Sequence, residues 1–280
     1  MRYSQVDVFT ARLMWGNPVA VVHDADGLSK EDMAAFARWT NLSETTFLLA
    51  PSSAGAAGGA DYRLRIFTPG GELPFAGHPT LGSARAWLEA GGVPCGETVI
   101  QECGAGLVQV RRLSATRWAF AAPPLRKAGP ATAAEISQVA AALRVPASAA
   151  VAAEWIDNGP GWLGVLLADA AAVLALSPDY AVMGDLKLGV VGQHGPGGPA
   201  DVEMRAFVPT LGIPEDPVTG SLGAGMGGWL PRLGVVSPEF TIRQGTNLRR
   251  AGLIHISTAG DGTVWVAGET VVGISGEVNL

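Results

Sequence analysis

Cysteine is scarce in this sequence: Cys95 and Cys103 alone in 280 residues. Two thiols make neither a disulfide framework nor a metal-ligand cluster, and a reducing, cytoplasmic setting is the expectation that follows. Charge is also thin, at 16%, with a net charge of −6 and no run of Lys or Arg. That balance argues against nucleic acid or an anionic membrane as partner and leaves a small molecule. The longest apolar tract, Leu163 to Leu176, is shorter than a membrane span and is interrupted by Asp169. The alternating residues 1–10 read as a first strand and not as a secretory signal. Four scattered histidines, His23, His78, His194 and His255, offer no pair at metal spacing on one helix. Phosphate loops and strand-linked GxGxxG motifs are missing too, so no metal and no cofactor are expected and any chemistry falls to side chains.

What the chain does contain is a repeat. DYRLRIFTPGGELP from Asp61 to Pro74 returns as DVEMRAFVPTLGIP from Asp201 to Pro214, an offset of 201 − 61 = 140 residues. Asp61/Asp201, Arg65/Arg205, Phe67/Phe207, Pro69/Pro209 and Pro74/Pro214 match without a gap, and Leu81-Gly82 meets Leu222-Gly223 one inserted residue later. An internal duplication with two halves of about 140 residues is the simplest reading.

Strands are expected at Ser4–Phe9, Pro18–Val22 and Thr45–Leu49, with a helix between the last two that Ser29 caps. Ser52 to Gly59 reads as a flexible connector before a strand from Tyr62 to Phe67. Pro79 suits the first turn of a helix ending at Gly91-Gly92. Strands follow at Thr98–Gln101, Leu107–Arg111 and Arg117–Phe120, and the irregular segment 121–131 places a domain boundary near residues 122 and 123. The halves are then 1–122 and 123–280, with the last few residues free to return to the first. The second half opens on a capping box, Thr132 with Glu135, and repeats the order through a strand at Leu163–Leu167, a strand at Asp201–Phe207 and a helix at Leu222–Leu230.

Each copy of the repeat leads from a strand through a Pro/Gly loop into a helix. The loops are FAGHPT, with His78, and EDPVTGS, with Asp216. Helix N-termini with free N–H groups favour a carboxylate, Gly77 and Gly220 admit close backbone approach, and Ser221 adds a hydroxyl. If the halves pack face to face, the two termini share one interdomain cleft. Each residue also has a plainer reading, since His before Pro and Asp before Pro are common in turns. Glu44, in NLSETTF, has capping-box spacing from Asn41, but the β-forming run Thr45–Leu49 puts it at a helix-to-strand junction. His23 and His194 read as solvent residues in turns and His255 as a pleat-face residue. Arg65 and Arg205 are expected on outward strand faces, and Trp15, Trp39, Trp87 and Trp229 in the core.

The stretches DVFTARLMWGNPVAVV, NLSETTF, FTPGGELPFAGHPTLG, EDPVTGSLGA and QGTNLRRAG, in this order, resemble the PhzF-like (phenazine biosynthesis-like) family, and they run the length of the chain. The resemblance implies an α/β (α+β) chain of two pseudo-symmetric halves with the diaminopimelate epimerase fold. Each half is then a curved, mostly antiparallel sheet around a central helix, with the active site between them and no cofactor. It implies that Glu44 is the general acid/base of a proton-shuttling isomerase, as the matching glutamate is in isomerising trans-2,3-dihydro-3-hydroxyanthranilate. His78 and Asp216 would bind and orient the substrate, with Ser43, Gly77, Thr80, Thr219, Gly220 and Ser221 completing the contacts. Proton shuttles gain from a buried carboxyl, so Glu44 is expected to be buried.

Related epimerases use two thiols at the starts of the central helices, where this chain has none. It also carries Arg249 before Arg250, where the family has glycine, and SLGAGMGGWL after the EDPVTG motif departs from the family pattern. The partner expected is a small carboxylate, with neither nucleic acid nor membrane and with a homodimer as the candidate assembly. The competing readings are a carboxylate-binding protein that has lost turnover and a structural scaffold in which Glu44, His78 and Asp216 lie far apart.

Overall fold

The computed structural model describes residues 1–280, with the side chain of Leu211 outside the description. The chain divides into two compact units, one of Met1–Ala121 with Ala267–Leu280, the other of Ala122–Val266.

The first unit runs β1 (Arg2–Val8), β2 (Asn17–Val22), α1 (Lys30–Thr40), β3 (Glu44–Leu49), α2 (Ser53–Ala57), β4 (Tyr62–Thr68), β5 (Gly71–Leu73), α3 (Gly77–Glu89), β6 (Val99–Cys103), β7 (Gly106–Arg112) and β8 (Arg117–Ala121). The pairings are antiparallel except for β2 with β3 and β4 with β6. The final strand, β17 (Val264–Glu277), lies antiparallel to β1 from Thr270 to Glu277, which is why the C-terminal stretch belongs to this unit. Thr116 O also accepts from Thr270 N at 2.8 Å, so the sheet curls back on itself around α3.

Sheet and helix meet closely because the residues between them are small. A Cβ on Gly82 would stand 2.4 Å from Val19 Cγ1, so only glycine lets α3 settle onto β2. On the other face of the sheet α1 covers Phe47 and Phe67 with Met33 and Phe36. Its capping box, Ser29 with Asp32, is complete, and Asn41 closes it in the left-handed conformation.

The second unit runs β9 (Lys127–Pro130), α4 (Ala133–Leu143), β10 (Ala152–Asp157), β11 (Trp162–Leu166), α5 (Ala170–Leu174), α6 (Tyr180–Met183), β12 (Lys187–Gln193), β13 (Val202–Val208), β14 (Ile213–Asp216), α7 (Gly220–Trp229), β15 (Phe240–Gln244) and β16 (Gly252–Thr258). The plan is the same. Helix α4, with its Thr132–Glu135 capping box, packs Val139 and Leu143 against a core that contains Phe207, the repeat counterpart of Phe67. Helix α7 is central and buried, and glycines let it pack closely. A Cβ on Gly225 would meet Ile156 O at 2.6 Å, and one on Gly227 would meet Val264 Cγ1 at 2.6 Å.

Several sequence expectations need correction. Residues 52–59 form a capped helix, α2, because Ser52 Oγ accepts from Gly55 N and Glu102 holds Ser52. The segment 121–131 contains β9, which pairs with β10. His23 is buried against Ser4, and His194 lies 3.0 Å from Glu203, so neither is a solvent residue. Trp15, in the loop between β1 and β2, and Trp39, near the end of α1, are exposed, Trp39 by 79%, and Trp87 is partly exposed; Trp229 is in the core.

Arg205 is also buried, not outward. Its guanidinium grips Glu215 through Nε at 2.9 Å and Nη2 at 2.8 Å, while Nη1 reaches Val173 O and Leu176 O. Arg65 makes the equivalent two-pronged contact with Glu72 but remains about a quarter exposed. The two matching arginines predict unequal costs. Arg205→Met leaves a buried carboxylate and is expected to lower unfolding free energy by about 3–5 kcal/mol, whereas Arg65→Met costs about 0.2–1 kcal/mol. Urea titration of both variants checks this, and equal losses would refute it.

Candidate active site

In the first unit the polar residues converge at one end of α3. Parallel strands β2 and β3 begin at Asn17 and Glu44, with Val19 opposite Glu44 in register. The turn from α1 into β3 is braced by Thr40 Oγ1 and Thr45 Oγ1 at 2.8 Å, and α3 is tied to β3 by Ser83 Oγ and Thr46 Oγ1 at 2.9 Å. His78, in the first turn of α3, lies between the two strand starts. Its Nδ1 is 3.3 Å from Asn17 Nδ2 and its Nε2 is 3.4 Å from Glu44 Oε2.

The second distance meets the definition of an ion pair, yet the electrostatics argue against one. Burial pushes the His78 imidazole down to about 3, against a smaller upward pull from the Pro18 carbonyl. The ring is therefore neutral at physiological pH, and its contact with Glu44 is a polar one between a neutral imidazole and a carboxyl group. Glu44 is not fully buried as expected: its side chain is 13% exposed, with Oε2 the inward atom, because its strand starts at the surface and only then enters the sheet. Ser43 is partly exposed beside it. Gly77 and Thr80 are buried, but the Thr80 hydroxyl is already engaged, donating to Ala76 O at 2.9 Å and accepting from Gln101 Nε2 at 3.0 Å. It braces the helix start.

The second unit builds a different network from the same frame. Thr219, the counterpart of His78, is the N-cap residue of α7, and Asp216 ends β14. Thr219 Oγ1 donates to Asp216 Oδ2 at 2.6 Å. Gln244, wholly buried at the end of β15, accepts from Thr219 N at 2.8 Å and donates to Asp216 O and Thr219 Oγ1, both at 2.9 Å. Ser221 Oγ accepts from Trp162 Nε1 at 3.0 Å, and Ser221 O accepts from Asn158 Nδ2 at 2.7 Å. Gly220 and Ser221 form the buried first turn of a ten-residue helix, where the partial positive charge of the dipole is concentrated.

Glu44 and His78 thus lie together in one unit, and Asp216, Thr219, Gly220 and Ser221 in the other. Sequence reasoning missed Asn17 and Gln244. Both stood in quoted stretches, GNPVAVV and QGTNLRRAG, and both are wholly buried polar residues, which sequence alone does not disclose. Arg249, at the place of the family glycine, adopts φ 58, a left-handed conformation that glycine takes at no steric cost, and its side chain is exposed. Neither thiol is near a central helix start: Cys95 N bonds Asp61, and Cys103 lies on β6 with its thiol pushed up by burial. Among the described residues no group of three or more His, Cys, Asp or Glu could hold a metal ion, and no helix is long and apolar enough to cross a membrane.

The neutrality of His78 has a measurable consequence. Between its ordinary value of 6.5 and about 3, the unfolded chain takes up a proton that the folded protein refuses, so stability falls as pH falls through that window. The slope is up to about 1.4 kcal/mol per pH unit. His78→Gln is expected to flatten that part of the urea-unfolding profile and to leave the region above pH 6.5 unchanged in shape; a wild-type slope that survives the substitution would refute it.

A model of the phenazine biosynthesis-like protein family (PhzC-PhzF) matches residues 6–276. Antisense-enhancing sequence 1 of Schizosaccharomyces pombe is 38% identical over 293 aligned residues, covering 98% of this chain and 97% of that protein. The trans-2,3-dihydro-3-hydroxyanthranilate isomerase of Pseudomonas aeruginosa is 34% identical over 275, covering 93% and 91%. A solved PhzF-family protein from Enterococcus faecalis superimposes with a TM-score of 0.79 at 27% identity, over 100% of both chains.

Proposed function

This chain belongs to the phenazine biosynthesis-like family of isomerases, and on that premise we propose that it isomerises a small carboxylic acid by moving one proton through Glu44. The observation that carries the reading is the pairing of the inward Glu44 Oε2 with a buried, neutral His78 at 3.4 Å. As a carboxylate, Glu44 takes a proton from a carbon activated by the substrate's conjugated system, and as the acid it returns that proton to another carbon of the same system. Atoms and charge balance without a co-reactant. His78, held neutral, serves as a hydrogen-bonding partner for Glu44 or the substrate and not as a cationic acid.

Asp216 takes the part of acceptor for an amino or hydroxyl group of the ligand. The first turn of α7, with Gly220 and Ser221, takes that of a carboxylate cradle, while the N–H and O–H of Thr219, expected there too, are engaged by Gln244 and Asp216. The Pseudomonas relative's substrate, a cyclic amino acid with a hydroxyl group, has all three functions. A second reading is binding of the same small carboxylate without turnover.

The test is solvent exchange. Small amino, hydroxy and unsaturated cyclic acids, beginning with trans-2,3-dihydro-3-hydroxyanthranilate, are incubated with the protein in deuterated water and followed by NMR. Glu44→Gln is expected to cut deuterium incorporation by about 10²–10⁴-fold while ligand-induced thermal stabilisation remains. Exchange at an undiminished rate in the variant would refute the assignment to Glu44. Stabilisation without exchange in the wild type would select the binding reading.

A further inference from the structure

The direction of every hydrogen bond between Gln244 and the Asp216–Thr219 loop can be read without ambiguity. A backbone N–H only donates and a backbone carbonyl only accepts. Gln244 Oε1 faces Thr219 N at 2.8 Å and Nε2 faces Asp216 O at 2.9 Å, so the amide cannot be turned over. The other Nε2 proton goes to Thr219 Oγ1 at 2.9 Å. Having accepted there, the Thr219 hydroxyl sends its own proton to Asp216 Oδ2 at 2.6 Å. The chain of donation runs Gln244 to Thr219 to Asp216 and ends on a carboxylate oxygen.

The loop is also clamped. Gly245, at φ 92, would place a Cβ 2.7 Å from Pro217 O, and one on Gly252 would stand 2.2 Å from Val218 Cγ2. The first unit has a buried glutamine beside its central helix as well, but Gln101 lies opposite Tyr62, whereas Gln244 lies opposite Met204. Gln101 donates to Thr80, whose proton ends on Ala76 O, a backbone atom.

We infer that Gln244 is a positioning residue which, through Thr219, sets Asp216 as a hydrogen-bond acceptor and so makes a ligand donor, an amino or hydroxyl group, the chemistry Asp216 recognises. The inference rests on the proposed role of Asp216 in holding the ligand. It excludes a ligand carboxylate at that position.

Gln244→Glu tests it, since the side chain keeps its shape and loses its donor. Above the pKa of the introduced carboxyl, the group repels Asp216 O and draws the Thr219 proton away from Asp216. Protonated, it can donate again. The expected result, with trans-2,3-dihydro-3-hydroxyanthranilate in the exchange assay, is a fall in kcat/KM of about 10–100-fold at pH 8 that recovers relative to wild type as pH is lowered to 5. Thr219→Ser should stay within a few-fold of wild type, and Thr219→Val should fall without recovery. Wild-type activity of Gln244→Glu at pH 8, or a loss that is the same at pH 5 and pH 8, would overturn the inference.

If Gln244→Glu does not fold, Thr219→Ser and Thr219→Val decide, and equal activities overturn it. If the wild type exchanges no proton with this acid, the proposed reaction on it fails separately, and the relay is judged on unfolding. Gln244→Glu must then be more destabilised relative to wild type at pH 8 than at pH 5, and a pH-independent difference overturns the inference.

Discussion

Close packing of a helix against the sheet that wraps it is the constraint from which the rest of each unit follows. A central helix can be enclosed only if the residues at its contacts are small, and here they are glycine: Gly82 in α3, Gly225 and Gly227 in α7. Once the helix is seated, its first turn is buried too, and buried polar groups need partners. His78 finds Asn17 and Glu44; Thr219 finds Gln244 and Asp216. The candidate chemistry is in that sense a product of burying helix N-termini.

The two units solve this problem unequally. The same frame carries an imidazole in one copy and a hydroxyl in the other, and the neighbours differ to match. In the first, burial makes the imidazole neutral and leaves a carboxyl group beside it. In the second, an amide directs a hydroxyl toward a carboxylate. The same inequality appears in the ion pairs, where Arg205–Glu215 is buried and Arg65–Glu72 is not, although the two arginines stand at matching positions of the repeat. Duplication has preserved backbone and core, down to Phe67 and Phe207, and released the polar positions to diverge.

Much of the fold was legible in the residues. The repeat, the capping boxes at Ser29 and Thr132, and Pro79 at a helix start are local signals, each enforced by hydrogen bonding or sterics within a few residues. The place of Glu44 at a helix-to-strand junction followed from the β-forming run behind it. The misreadings share one cause. Helix α2 depends on Glu102, β9 on β10, and the burial of His23 and Arg205 on elements distant in sequence. The return of Ala267–Leu280 to the first unit, which the sequence left open, is likewise a long-range pairing, with β1.

By itself, then, the sequence determined the duplication, the order of most elements, the membership in a family and the candidacy of Glu44, His78 and Asp216, because these rest on local pattern or on matching residues. Tertiary structure decided which polar groups are buried, which partner each has, and in what direction its protons point. Those properties arise only when strands from different parts of the chain are brought together, and a hydrogen bond has no identity until both of its ends are in place. Asn17 and Gln244 mark the difference: in the sequence they are two polar residues inside longer quoted stretches, and in the fold they are the groups that hold His78 and Asp216.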